Sequence, residues 1–386
     1  MIIEKIARHG DELSAIRHDL HMNPELRFEE KRTSAVVARE LARLGFAVTT
    51  GLAGTGVVGT LSNGTSRRSI GLRADMDALP ISETTGLSYA SRSPGKMHAC
   101  GHDGHTTTLL GAARYLAETR DFEGTVHLIF QPAEEDVSGA KRMIEEGLFH
   151  RFSCDAVFAF HNWPGAAAGQ VQLKSGAMMA AVDTAKVTVK GVGGHGAVPH
   201  RAVDPVVAGS AIVMALQTVV SRNVDPGEAA VITVGAFNAG SLCTIIPEIA
   251  VLDIGIRSCS QSVRDQLARR IPDLIAAQAA AFGCTVELEY ELGYPVTVNS
   301  PAETAFMRDV ALGMEPGVVD LEKPFMISED FSYMLERVPG CYFMMGNGDE
   351  PDRKMLHDPG YDFNDELLVK GTALWGRLVE QFLPRA

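Results

Sequence analysis

The chain of 386 residues is 46% hydrophobic and 22% charged, and its mean hydropathy lies near zero, the balance of a globular protein and not of a disordered, collagenous or coiled-coil one. At roughly 100–200 residues per domain, this length accommodates two domains, each with its own core. With 48 acidic against 35 basic side chains the formal charge is −13, which leaves no broad basic surface to neutralise phosphates and excludes nucleic acid as a partner.

Residues 1–19 mix charges with single apolar residues and lack the apolar core and small-residue cleavage site of a secretory signal. Ile3, Ile6, Leu13, Ile16 and Leu20, then Val36, Val37, Leu41 and Leu44, recur at helical spacing, so the chain is expected to open with two helices. Strands follow at 57–61, 69–73, 124–130 and 155–160, with helices at 107–118 and 139–146 between them. Asn63-Gly64 reads as a hairpin turn. Strands alternating with helices argue for an α/β layer fold. From 183 the order changes to strand 185–189, helix 204–222, strands 230–237 and 250–257, helix 262–282 and strand 285–292. This βαββαβ order suits a ferredoxin-like module, two helices on one face of a four-stranded antiparallel sheet. After Pro295 the α/β character resumes and ends in a helix capped by Asn364. The expected division is 1–182 and 295–386 for the large domain, with 183–294 inserted into it.

The most apolar run, 202–220, is interrupted by Asp204, Pro205 and Gln217 and falls short of a membrane span. Cys100, Cys154, Cys243, Cys259, Cys284 and Cys341 lack the paired spacings of a disulfide framework or zinc finger. A cytoplasmic protein with no membrane partner is expected.

Chemistry concentrates just past the ends of expected strands, at 73–77 (RADMD), 131–136 (QPAEED) and 161–163 (HNW). In α/β sheets ligands gather beyond the carboxyl ends of the strands, so these segments should meet. Two further segments, 98–105 (HACGHDGH) and 356–359 (LHDP), add a thiol and imidazoles. Thiolate, imidazole and carboxylate together are what borderline-soft divalent metals prefer. The adjacent Glu134 and Glu135 meet a specific need, since metal-assisted hydrolysis calls for one carboxylate on the metal and another free to take a proton from water. A thiolate between two cations would offset their mutual repulsion.

The ordered series RHDLHMNPEL, GLRADMDALPI, HACGHDGHT, QPAEED, FHNWPG, GGHGAVPH, SEDFSYM and LHDPGYDF, from Arg17 to Phe363, resembles the M20 metallopeptidase family. It looks most like the branch of hippurate hydrolases, N-acyl-amino-acid amidohydrolases and auxin-conjugate hydrolases. The resemblance implies two divalent metal ions per subunit, zinc first, with manganese, cobalt or nickel as alternatives. It implies Cys100 (bridging), His102, Glu135, His161 and His357 as ligands, Glu134 as general base, and Asp77 as the aspartate that orients the site. It implies that the inserted domain is a lid and dimerisation surface, giving a homodimer or a larger tetramer, and that His195 reaches the partner's site to stabilise the oxyanion. His200, Thr244 and Arg257 would line the space for a small N-acyl amino acid substrate. His98 and His105 are not ligands in this pattern. Thr244 stands where relatives carry an amide, and Ile327 where they carry glycine before SEDF. Ser328 with its two following acids reads as a helix cap.

Gly54 to Gly59 fits the G-x-G-x-x-G string of dinucleotide-binding enzymes, but Val57-Val58 continues as a strand where that fingerprint must open a helix. A thiol hydrolase using Cys100 would leave Glu135, His161 and His357 without a task. A non-catalytic metal binder would not need Glu134.

Overall fold

The computed structural model describes residues 2–135 and 138–385. It is a mixed α/β structure in two compact units. One unit runs up to Met178 and resumes over Val298–Lys323 and from Asp330 onward; the other comprises Met179–Thr297 and Pro324–Glu329.

In the first unit a large sheet has, among the described residues, the strand order Ala47–Leu52, Gly56–Asn63, Gly124–Gln131, Ser69–Asp75, Ala156–Pro164, Gly340–Gly348, Val171–Leu173, Val318–Asp320. Its middle is parallel: Ser69–Asp75 pairs in parallel with Gly124–Gln131 and with Ala156–Pro164, which pairs in parallel with Gly340–Gly348. Parallel strands are covered on both faces, and every residue of Ser69–Asp75 and Gly340–Gly348 is buried. The parallel arrangement also brings the carboxyl ends of these strands to one edge, where the metal-type motifs emerge.

Two expectations change here. Asn63-Gly64 does not close a hairpin between neighbours, because Gly124–Gln131 lies between Gly56–Asn63 and Ser69–Asp75. Asn63 Nδ2 instead donates to the carbonyls of Arg120 (3.0 Å) and Phe122 (2.6 Å). Turn chemistry registers a local reversal, whereas parallel pairing through a crossover is set by the packing of the intervening helix. That helix, expected at 107–118, runs from His102 to Thr119. Its first turns are poor helix formers, but the hydroxyls of Thr107 and Thr108 donate to the carbonyls of Asp103 and Gly104, both at 2.7 Å. The Gly54–Gly59 string does open a strand, Gly56–Asn63. The last helix is Glu366–Phe382, and Asn364 Oδ1 accepts the Glu366 N–H at 3.0 Å.

The second unit holds a four-stranded antiparallel sheet, ordered Ala230–Ala239, Ile249–Ser258, Ala181–Lys190, Thr285–Leu292, with helices Pro205–Asn223 and Gln261–Ala281. Along Ala181–Lys190 burial alternates, and Ala185, Val187 and Val189 join Ile212, Leu216, Leu267 and Ile271 in one core. Asp204 caps Pro205–Asn223 by accepting the Val206 N–H at 2.8 Å. This helix is long and apolar enough to cross a membrane by length and composition, but Ala208, Ile212, Leu216 and Val219 belong to the unit's core.

Beneath this sheet Arg264 is buried against Asp183, with Nε 3.1 Å and Nη2 2.6 Å from Oδ1, and donates also to the Gly293 carbonyl at 2.9 Å. Removing one partner of a buried ion pair strands the other charge. Arg264→Ala is therefore expected to lower stability by about 3–5 kcal/mol, read as a shift in the denaturant midpoint; a change under about 1 kcal/mol, the scale of an exposed pair, would contradict this account.

Candidate metal centre

The parallel strands deliver the site's side chains from one edge. Asp75 ends one strand and Asp77 follows it, Glu134 and Glu135 follow Gly124–Gln131, and His161 lies near the end of Ala156–Pro164. Cys100 and His102 flank Gly101, whose φ of 96° lies in the left-handed region. A Cβ there would collide with the Asn162 side-chain amide and the Tyr361 hydroxyl, so both backbone conformation and space require glycine. His357, itself at φ 66°, donates its N–H to the Ala99 carbonyl at 2.8 Å. The late loop is thereby fastened to the Cys100 segment.

The donor atoms converge. One atom each of Cys100, His102 and His161 lie within 4.8 Å of one another, as do those of Cys100, Glu135 and His357, and those of His102, Glu134 and Glu135. Cys100 is common to the first two groups, with its Sγ 3.3 Å from His161 Nε2, and His357 Nε2 stands 3.1 Å from Glu135 Oε1. His161 Nδ1 donates to the Asn162 carbonyl at 2.8 Å, leaving the Nε2 lone pair toward Cys100. His102 Nδ1 lies 3.3 Å from Asp77 Oδ1, while its Nε2 is buried without a hydrogen-bond partner. A buried ring nitrogen with no hydrogen-bond partner, 3.8 Å from Asp75 Oδ2, whose other nitrogen is oriented by a carboxylate, suits a metal-ligating histidine. Asp77 also accepts the N–H groups of Glu134 (3.1 Å) and Glu135 (3.0 Å), fixing the turn that carries both acids.

The electrostatics agree. Burial, then the nearby Glu135, Glu134 and Asp75 carboxylates, push the Cys100 thiol well above its usual range. Burial opposes charge on His102, yet Asp75 and Asp77 outweigh it and push it up to about 10. Burial and neighbouring His105 hold His161 well below its usual value. A thiolate among carboxylates is tenable only beside cations, and the donor set fits divalent metal.

A matching family model covers residues 71–381 and describes peptidase family M20/M25/M40. The chain belongs to that family. It is 42% identical to the hippurate hydrolase of Campylobacter jejuni over 384 residues, covering 99% of both chains. It is 40% identical to the N-acetyl-L-cysteine deacetylase of Bacillus subtilis over 362 residues, 94% of this chain and 86% of that one. A dinuclear metal binding peptidase from the M20 family of Bacillus subtilis superposes with a TM-score of 0.85 at 29% identity, covering 98% and 99% of the two chains. This M20 protein is a metal-dependent amidohydrolase, and its family and donor set support two divalent metals.

Other predicted residues of the M20 chain lie in the second unit. His195 is exposed in a two-residue strand paired with Ile245–Ile246, and its Nδ1 accepts the Ala197 N–H at 3.0 Å. His200 is exposed in the turn Pro199–Arg201. The Thr244 carbonyl accepts the Gly196 N–H at 2.8 Å, and the Ile327 carbonyl accepts that of Ala180 at 3.0 Å. Arg257 Nη1 donates to the Met326 carbonyl (3.2 Å) and approaches Ser328 Oγ (3.4 Å).

Ser328 does not cap a helix, because the next one is Ser332–Leu335. Asp330 is instead a buried anchor: it accepts from Arg73 Nη2 (3.1 Å), Gln131 Nε2 (2.9 Å) and the Ala140 N–H (2.9 Å). Arg73 continues through Asp75 (2.8 Å) to His105 Nδ1 (2.6 Å), whose Nε2 accepts the Asn162 N–H (3.1 Å). Both nitrogens of His105 are thus engaged within the chain. Sequence reading missed this network, although Arg73 and Asp75 stand inside a quoted motif. Their signal was charge in an apolar strand.

Gly101→Ala should leave a folded protein with reduced metal occupancy and activity down by at least about 10²-fold, the order expected from a misplacement near 1 Å. Metal analysis beside circular dichroism checks it; full occupancy with normal turnover would refute the packing argument.

Proposed function

We propose that Cys100, His102, Glu135, His161 and His357 hold two divalent cations and that the site hydrolyses the amide bond of N-acyl amino acids, hippurate-like or N-acetyl, to a carboxylic acid and a free amino acid. The observation that carries this is the membership of Cys100 in two donor groups beside a carboxylate-oriented His102. Zinc suits imidazole and thiolate best, with manganese, cobalt and nickel as alternatives. Bound there, such cations would polarise the scissile carbonyl and acidify the attacking water. Glu134 takes the proton of that water on its carboxylate and delivers it to the departing nitrogen. Asp77 keeps Glu134 and Glu135 in register through their N–H groups. All six cysteines are free, which suits a reducing, cytoplasmic setting.

Glu134→Gln should retain metal and lose about 10²–10⁴ in turnover, the usual span of a general base, whereas Glu135→Gln should lose metal. The assay is hydrolysis of N-acetyl, N-benzoyl and longer N-acyl amino acids by metal-reconstituted enzyme. Absence of turnover on every member of that series would sink the substrate assignment, and chelator-resistant activity would sink the metal chemistry.

The second unit serves in this reading as a ferredoxin-like lid and dimerisation domain, and His195 stabilises the oxyanion of the partner's site. The Ala197 N–H occupies Nδ1, which leaves Nε2 as the nitrogen available to donate to an oxyanion. His200, Thr244 and Arg257 line the substrate space. Homodimers of His195→Ala and of Glu134→Gln should each be nearly inactive, and mixing with subunit exchange should restore turnover. Exchange verified by mass without recovery would rule out action in trans.

A further inference from the structure

Glu30 precedes the helix Lys31–Arg43 and is wholly buried, far in sequence from any residue assigned to the reaction. Its Oε1 accepts the N–H of Ala133 at 2.9 Å and that of Phe28 at 3.0 Å, and its Oε2 accepts the Thr55 hydroxyl at 2.7 Å. Ala133 has φ 52°, a left-handed backbone that a residue with a Cβ adopts only when its surroundings impose it. It immediately precedes Glu134. The successive N–H groups of Ala133, Glu134 and Glu135 are therefore received by Glu30, Asp77 Oδ1 and Asp77 Oδ2 in turn. Such a run of amides forms a concave nest for anionic oxygens. The Ala133 carbonyl, in turn, accepts the Gly139 N–H at 2.9 Å.

We propose that Glu30 is a positioning residue for Glu134: by holding the Ala133 N–H it imposes the left-handed turn that sets the direction in which the Glu134 side chain leaves the backbone. The inference rests on the reading of Glu134 as the proton acceptor. The hydrogen bonds of Glu30 do not require a charge. Burial, with Asp77 nearby, pushes its carboxyl up to about 7 against the Thr55 hydrogen bond. An amide of the same shape can keep its oxygen on the two backbone N–H groups and turn its NH₂ to the Thr55 oxygen.

The test is steady-state kinetics with metal analysis on Glu30→Ala, Glu30→Gln and Glu30→Asp, alone and combined with Glu134→Gln. Glu30→Ala should lower kcat by about 10–100-fold, the scale of a misdirected catalytic group, with KM and bound metal unchanged. Glu30→Gln should stay within about threefold of the parent, since it preserves the acceptor. Glu30→Asp keeps the acid but withdraws it from Ala133, and its kcat should fall as for alanine; it carries the test if Glu30→Ala does not fold. In the Glu134→Gln background either impaired variant should cost nothing further, because the group it positions is already disabled. An equal loss in both backgrounds, a loss in KM or metal instead of kcat, or a Gln variant as impaired as Ala would overturn the proposal. A fully active Glu134→Gln single variant would instead defeat the assignment of the base, separately from anything observed at Glu30.

Discussion

Acids crowd one edge of a parallel sheet, and the rest of the site is arranged around that fact. Asp75, Asp77 and Glu134 are buried there beside the Cys100 thiol, with Glu135 partly so. Burying like charges together is costly unless cations accompany them. The chain supplies part of the compensation itself: burial works against Asp75 as a carboxylate, yet His102, His105 and Arg73 hold it well below its usual range. The positive charge still lacking at this edge is what divalent cations would supply, and the donor atoms of Cys100, His102, Glu135, His161 and His357 converge in groups that could hold them. Stability and function are opposed at this edge, as is common where pKa values are strongly perturbed.

Two buried arginines join segments that carry the site. Arg73 links the strand Ser69–Asp75 to Gln131 and Asp330. Arg17, in the helix Gly10–Met22, is wholly buried, with its Nε 3.0 Å from Asp103 and further contacts to Asp362 and Asp365. Asp103 follows His102, and the other two acids lie shortly after His357, so one guanidinium fastens the segments that carry both histidines to the helix Gly10–Met22. His21 adds to the same node through Asp103 at 2.8 Å. Ion pairs this deep contribute little net stability compared with apolar packing, but they tolerate few alternative arrangements. Their value here is register.

Rigid placement of this kind explains why backbone conformation at the site is unusual. Gly101, Ala133 and His357 all have positive φ, and each adjoins or is a residue of the candidate metal centre. Each is held by groups remote in sequence: Asn162 and Tyr361 around Gly101, Glu30 on Ala133, Ala99 on His357. The sheet places the side chains to within a residue, and these clamps set their final direction.

The alternation of strands and helices, the βαββαβ order of the second unit and the gathering of RADMD, QPAEED and HNW at strand ends were legible without coordinates, because periodicity and strand-end chemistry are local. Cys100, His102, Glu134, Glu135, His161 and His357 were singled out through the resemblance to M20 proteins, since spacing marks Cys100 with His102 and Glu134 with Glu135 but not the distant His161 and His357; the fold brings their donor atoms together. What the sequence could not decide was pairing across distance. The insertion of Gly124–Gln131 between Gly56–Asn63 and Ser69–Asp75 depends on how the helix His102–Thr119 packs, which no turn signal encodes. Asp330 reads locally as part of a cap and becomes a buried anchor only when the fold brings it to Arg73. Glu30 carries no sequence signal of its own; only the fold brings it to the Ala133 N–H, next to Glu134. Residue type and spacing fixed which chemistry the chain carries, and long-range packing fixed which acids hold that chemistry in place, because a hydrogen bond between residues a hundred positions apart leaves no periodic trace in either segment.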